Sequence, residues 1–231
     1  MIPQRKSIKI AILDDHAACQ YGIEHYLDEL TEIRVSANFS RSRDLLSWLQ
    51  THEVDVVLLD YVLGPDQIDG LNLIRLIRAR FARCRILMTS SIEVPATVNL
   101  MLRAGARGFV GKSQDLRELA HAIHVVAAGR TYLSVELASV VPAAGRSRPG
   151  RTAGAPADRD VTQPSPEQLA ETPLSPREHE VLRCCLNGMT VSEIAVKFSR
   201  SRKTISAQKQ SAYRKLGVRN DVELFASRKA Q

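Results

Sequence analysis

Two nearly continuous apolar runs, Ile8–Leu13 (IKIAIL) and Val54–Leu59 (VDVVLL), constrain the fold most. A strand exposed on one face alternates polar and apolar residues. An apolar run without that alternation suits a strand covered on both faces, as in a parallel sheet packed between helices. Ile33–Phe39, Arg85–Met88 and Gly108–Val110 also read as strands, and helical periodicity runs over roughly 17–30, 42–51, 70–81, 94–104 and 115–128. Five such βα repeats predict an α/β domain with helices on both sides of a parallel sheet. A shorter helix at about 134–141 closes it.

The pattern then breaks. Seven of the ten prolines fall between Pro142 and Pro176, in a stretch with almost no large apolar side chains. Such a stretch cannot bury enough surface to offset its ordering entropy. Residues 142–172 therefore read as a flexible linker, with an r.m.s. span of roughly 30 Å, between a domain at 1–141 and another at 173–231. The second domain shows helix starts and no strands. Ser175-Pro176-Arg177-Glu178 and Thr190-Val191-Ser192-Glu193 are capping boxes, Ser201 can cap a third helix, and Asn220-Asp221-Val222-Glu223 reads as a further box. Gly188 and Gly217 fit helix C-termini, giving an all-α four-helix unit.

Charge separates the two parts. The net charge of +7 lies wholly in residues 173–231, which carry 12 basic and 5 acidic residues, whereas 1–141 carries 16 of each. Between Ile194 and Asn220 there are eight basic residues and no acid. A solvated face would mix signs; a local excess of one sign marks an anionic partner. No run of 18 apolar residues offers a membrane span, and Met1–Lys9 lacks the apolar core of a signal peptide, so a cytoplasmic chain is expected. Cys19, Cys84, Cys184 and Cys185 show no metal or redox spacing and read as free thiols.

Asp14 and Asp15 end the first strand and Asp60 ends the third. In a doubly wound parallel sheet the carboxyl ends of strands meet at one edge, where ligands bind. Each Asp alone would read as a helix cap. Three together at neighbouring strand ends would repel, and a hard divalent cation relieves that repulsion. One carboxylate could also attack a phosphoryl donor. Ser90 after the fourth strand and Lys112 after the fifth bring a hydroxyl and an ammonium to the same edge, as a bound phosphoryl group requires.

DDH at 14–16, LLDYVL at 58–63, the Asp69-Gly70 turn, TSS at 89–91 and AGARGFVGK at 104–112 resemble the receiver domain of two-component response regulators. The resemblance covers about 1–128. It implies a flavodoxin-like doubly wound five-stranded parallel sheet, with Asp60 as the phosphoacceptor. It also implies Mg²⁺ held by Asp14, Asp15, Asp60 and the backbone carbonyl of Val62, with Lys112 on the phosphoryl group. Ser90 would be the switch hydroxyl, drawing inward the switch aromatic Phe109. Leu63-Gly64-Pro65 replaces the usual Met-Pro, and the loop to Asp69 is about two residues longer than usual. Ala17 and Ser113 stand where Pro is common. A phosphatase of the haloacid dehalogenase type would want a second Asp two residues after the nucleophile, where this chain has Val62.

Downstream, TVSEIAVKFSRSRKTISAQKQSAYRKLGV has the form helix, turn, longer helix. Ile205, Gln208, Ala212 and Leu216 define an inward stripe by 3-4-4 spacing. Lys203, Ala207, Gln210 and Arg214 follow the opposite stripe, with Ser206 and Lys209 beside it. Small and amide side chains at the centre of a basic face suit a major-groove helix. A membrane-surface helix would want Trp and Phe on a wider apolar face.

LSPREHEVLRCCLNGMTVSEIAVKFSRSRKTISAQKQSAYRKLGV is similar to the LuxR/FixJ-type helix-turn-helix, although Gln208 stands where His is common. That resemblance makes Ser201–Leu216 the recognition helix. It places Ser206, Ala207 and Gln210 at base edges and Lys203, Thr204 and Lys209 near the DNA backbone; Arg202 and, from the basic stripe, Arg214 are further expected DNA-binding residues. Together the two resemblances imply a NarL/FixJ-type transcription factor, not an enzyme, most like the Rcs-type capsule-synthesis regulators. The implied partners are a sensor histidine kinase or phosphotransfer protein, promoter DNA and RNA polymerase. A second copy, or another LuxR-type regulator in a heterodimer, would complete the functional unit. The alternative is a phosphorylation-independent DNA-binding partner of another regulator.

Overall fold

The computed structural model describes residues 7–141, 174–221 and 223–224. Two compact units are separated, Met1–Gly145 and Arg146–Gln231. The division falls inside the expected linker 142–172, which lies outside the described residues.

The first unit alternates strand and helix: β1 (Ile8–Leu13), α1 (Ala17–Asp28), β2 (Ile33–Phe39), α2 (Ser42–Trp48), β3 (Val56–Asp60), α3 (Gly70–Arg80), β4 (Arg85–Ser90), α4 (Pro95–Ala104), β5 (Gly108–Gly111) and α5 (Leu116–Ala127). The short α6 (Val135–Val140) follows. All strands are parallel, in the order β2-β1-β3-β4-β5. The two apolar runs explain that order: β3 is buried along its whole length and β1 over its last four residues, and the two strands pair directly. One face of the sheet packs Leu13, Val57, Leu59, Met88 and Phe109 with residues of α2, α3 and α4. The other packs Ile10, Ile12, Leu58 and Val110 with α1 and α5.

Boundaries differ from the sequence reading at the functional edge. β3 starts two residues later than expected and continues through Asp60, whose ladder partner is Thr89. β4 likewise runs on to Ser90. The polar ends of these strands carry no apolar signal, yet the backbone ladder extends through them.

The second unit contains α7 (Pro176–Leu186), α8 (Val191–Lys197) and α9 (Arg202–Leu216). Both expected capping boxes form, at Ser175/Glu178 and Thr190/Glu193. Gly217 ends α9 in the left-handed region at φ 68°, where a Cβ would be strained. Asn220 Oδ1 accepts from Glu223 N at 2.9 Å, so the cap of a fourth helix is present. Its reciprocal arm goes to Arg219 N at 2.7 Å, one residue earlier than a capping box requires. The fourth helix itself lies largely outside the described residues.

The inward stripe of α9 needs correction. Ile205 and Ala212 are buried, but the third buried residue is Tyr213; Leu216 is 45% exposed and Gln208 is half-buried. The ring of Tyr213 packs in the core while its hydroxyl reaches Asp221, a use of an aromatic body and polar tip that apolar spacing does not reveal. All four cysteines are free thiols.

Candidate phosphoacceptor site and nucleic-acid interface

β1 and β3 are neighbours, so Asp14, one residue past β1, and Asp60, the last residue of β3, converge. Asp14 is 1% and Asp60 4% exposed. Lys112, just past β5, reaches across: its Nζ lies 2.7 Å from Asp14 Oδ2 and 2.8 Å from Asp60 Oδ2. Burial pushes the Asp60 carboxyl up to about 6, a rise to which Asp14 adds and against which Lys112 works. For Lys112, burial pulls downward, but the contacts with Asp14 and Asp60 prevail and hold it above the ordinary range. One ammonium therefore serves two carboxylates and leaves the cluster short of positive charge.

Asp14, Asp15, His16 and Asp60 bring ligand-capable atoms within 4.8 Å of one another. Asp14 Oδ2 faces the shared Lys112 ammonium at 2.7 Å and Asp15 Oδ1 the His16 ring nitrogen at 2.9 Å, and neither oxygen has a further hydrogen-bond partner among the described residues. Oxygen donors left in this condition suit a hard divalent cation, so the cluster fits Mg²⁺, which receiver domains typically bind at this acidic pocket. His16, part of the DDH triplet but given no role from sequence, places Nδ1 2.9 Å from Asp15 Oδ1, 3.2 Å from Asp14 Oδ1 and 4.0 Å from Asp60 Oδ2. Its imidazole stands at the mouth of the cluster, with the side chain 67% exposed.

The surrounding loops are firmly tied. Gly64 N donates to Asp15 Oδ2 at 2.9 Å, and Leu63 N donates to Asp69 Oδ2 at 3.0 Å. Gln67 staples the longer loop to the β2–α2 connection, accepting from Ser42 N at 2.8 Å and donating to Ser40 O at 3.1 Å. Gly70 takes φ 55° at the expected turn. Val62 N lies 3.4 Å from Asp60 Oδ1. The lengthened loop is thus anchored at both ends of the site.

Ser90 is 1% exposed, and its Oγ accepts from Ile92 N at 2.9 Å. Phe109 is fully buried in the same core cluster as Val98 and Met101 of α4. Phe109, the residue the resemblance makes the switch aromatic, is thus part of the core. Glu93 was not singled out from sequence. It accepts from Ser113 Oγ at 2.6 Å and lies over Gly111, where a Cβ would come within 2.1 Å of its carboxylate. At its present position that carboxylate fills the space a Cβ at 111 would need, and nothing in the spacing of Glu93 announces it.

In the second unit the outward face of α9 forms largely as expected. Ser201 caps the helix by accepting from Thr204 N at 3.0 Å, and its Oγ also hydrogen-bonds the Thr204 hydroxyl at 2.8 Å. Arg202, Lys203, Thr204, Ala207, Gln210 and Arg214 are exposed and Ser206 is half-buried. Glu178 anchors the helix from behind, taking Ser211 Oγ at 2.7 Å and Lys215 Nζ at 2.8 Å. Burial raises the pKa of that carboxyl, but these bonds and those from Ser175 prevail and bring it down to about 2. Lys209, expected near the DNA backbone, has an acidic partner in this structure. It is 19% exposed and ion-paired to Asp221 at 2.8 Å, because its position on α9 turns toward the start of the next helix.

Two family models match the chain. The family described as response regulator receiver domain matches residues 10–124, and that described as bacterial regulatory proteins, luxR family, matches 172–227. The chain is 31% identical over 220 residues to the Fimbriae Z protein of Salmonella typhimurium, covering 95% of each. It is 33% identical to the transcriptional regulatory protein UhpA of Escherichia coli, over 94% of this chain and 95% of that one. With RcsB of Escherichia coli the identity is 30%, over 95% and 93%. Among solved structures, the RcsB response regulator of Salmonella typhimurium aligns with a TM-score of 0.77 at 28% identity, over 97% of this chain and 98% of that chain. RcsB bound to promoter P1flhDC in the presence of a phosphomimetic aligns with a TM-score of 0.76 at 28% identity, over 98% and 100%. No helix among the described residues is long and apolar enough to cross a membrane. A receiver-type acidic edge on one unit and a basic helix-turn-helix face on the other find their explanation together: the chain belongs to the NarL/FixJ family of two-component response regulators, which are DNA-binding transcription factors and not enzymes.

Proposed function

We propose that Asp60 accepts a phosphoryl group from a sensor histidine kinase or a phosphotransfer protein in the cytoplasm, and that this acyl phosphate controls promoter binding by residues 173–231. The observation that carries the reading is the buried Asp60 carboxylate gripped by Lys112 at 2.8 Å beside Asp14 and Asp15. An Asp60 Oδ attacks phosphorus, the bond from phosphorus to the donor histidine nitrogen breaks, and that nitrogen keeps the electron pair. Lys112 holds the incoming phosphoryl oxygens by its ammonium. Asp14, Asp15, Asp60 and the Val62 carbonyl would hold Mg²⁺, which supplies charge neutralisation between carboxylate and phosphoryl group. Ser90 leaves Ile92 N to donate its hydroxyl to a phosphoryl oxygen, and Phe109 keeps the space behind it filled. The receiver at 1–141 transmits the change through the linker 142–172 and through pairing of two copies.

On DNA, Ser206, Ala207 and Gln210 face base edges, while Arg202, Lys203, Thr204 and Arg214 hold the backbone. Two copies then occupy half-sites about one helical turn apart. For a relative, RcsB, dimers bound to DNA have been solved, which supports pairing of two copies on DNA. RNA polymerase and a heterodimeric LuxR-type partner complete the proposed set. Incubation with acetyl phosphate and Mg²⁺ tests the central step: one base-labile phosphoryl group per chain is expected, and none in Asp60→Asn. Full labelling of Asp60→Asn overturns the assignment.

A further inference from the structure

α9 carries five basic residues, Arg202, Lys203, Lys209, Arg214 and Lys215. Among the described residues Arg202, Lys203 and Arg214 have no acidic partner, and Lys215 is committed to the buried Glu178. Lys209 is different again. Its ammonium lies 2.8 Å from Asp221 Oδ1 and 2.9 Å from Oδ2, and 5.4 Å over the centroid of the Tyr213 ring. The Tyr213 hydroxyl donates to the same carboxylate. Asp221 itself sits in the open, its side chain 53% exposed. Bonds from Lys209 and Tyr213 hold its carboxyl below the ordinary range, so it is anionic at neutral pH.

Two oxygens meeting one ammonium from solvent is also how a DNA phosphate would present itself. Ser206, Lys209 and Tyr213 follow 3-4 spacing along the flank beside the face of Lys203, Ala207, Gln210 and Arg214. A released lysine there has the four-carbon stem to reach the backbone alongside that face.

We infer that Asp221 is an internal counter-ion that withholds Lys209 from the DNA backbone and so limits sequence-independent affinity. The inference rests on the proposed DNA-facing assignment of that stripe. The pair has no net charge, so bringing it to DNA displaces no counterion. A free lysine would add about 0.9 to the log–log salt slope. Extrapolated from 1 M salt, that slope corresponds to about fivefold tighter binding at 0.15 M.

The test is a KCl titration of full-length chain on a scrambled duplex, read by fluorescence anisotropy. Asp221→Asn keeps an acceptor for Tyr213 and leaves the Asn220 cap in place; its fold is checked by thermal unfolding. It should steepen the slope by about 0.9 and tighten binding about fivefold. Lys209→Ala added to Asp221→Asn removes both charges of the pair and should return the slope to the wild-type value. A slope flatter than wild type in that double variant overturns the inference; should it not fold, Lys209→Gln with Asp221→Asn, an uncharged hydrogen-bonding pair, is read in its place. Arg214→Ala, run alongside, tests the face itself. A flattened slope there with no change in Asp221→Asn overturns the inference alone; no change in either overturns the face assignment as well.

Discussion

Asp60→Asn should stabilise the receiver at neutral pH, and the size of the effect follows from the site. The carboxyl is raised from 3.8 to about 6, chiefly by burial and with the attraction of Lys112 already included. A displacement of that size corresponds to roughly 3 kcal/mol at 1.36 kcal/mol per pH unit. Because the folded chain holds this proton more tightly than the unfolded chain, stability falls as pH rises from about 4 to 6, and the full cost is present above 6. An amide of the same shape removes the ionised form and with it the cost. Asp60→Asn should therefore be more stable than wild type by about 3 kcal/mol at pH 7, roughly 10 °C in the receiver's midpoint. The advantage should shrink through pH 6 and vanish below pH 4. The single tryptophan, Trp48 in α2, lies in the receiver, so its fluorescence follows that unit's unfolding separately from the C-terminal unit. Measurements in EDTA isolate the protein's own charges, and added Mg²⁺ should narrow the gap by stabilising wild type selectively. A difference that does not change with pH, or a variant less stable at pH 7, would refute the reasoning.

His16→Ala removes an imidazole that stands among the carboxylate oxygens, so Mg²⁺ binding measured by calorimetry should tighten; weaker binding would make His16 a ligand instead. Gln210→Ala should cost roughly 1–3 kcal/mol on the preferred duplex and little on a scrambled one, because an uncharged side chain reads bases and holds no counterion. Equal losses on both duplexes in a paired binding assay would mean that Gln210 does not face the groove.

Much of this site was legible because polar residues stood directly after apolar runs. Asp14 and Asp15 after IKIAIL, Asp60 after VDVVLL and Lys112 after β5 had one edge available to them once the strands were parallel. Less legible was what depends on contacts between loops. Gln67 stapling the longer loop, Glu93 over Gly111 and His16 among the acids are set by tertiary approach and leave no periodic trace. In the second unit the caps of α7, α8 and α9 were plain from Ser175, Thr190 and Ser201, since capping is local chemistry. The buried side of α9 was misread at its end: a 3-4-4 stripe selected Leu216, while the neighbouring Tyr213 fills the core and satisfies its hydroxyl on Asp221. The basic count likewise could not show which lysines were spent on partners of their own, and the structure commits Lys209 and Lys215 to Asp221 and Glu178.

The most direct test of the account is the affinity of wild type and Asp60→Asn for one promoter duplex, selected from random sequence by the wild-type protein, before and after acetyl phosphate with Mg²⁺. Wild type should bind more tightly after treatment, while Asp60→Asn should not respond. Equal tightening of both proteins, or tight binding by both before treatment, would contradict control of DNA binding through Asp60.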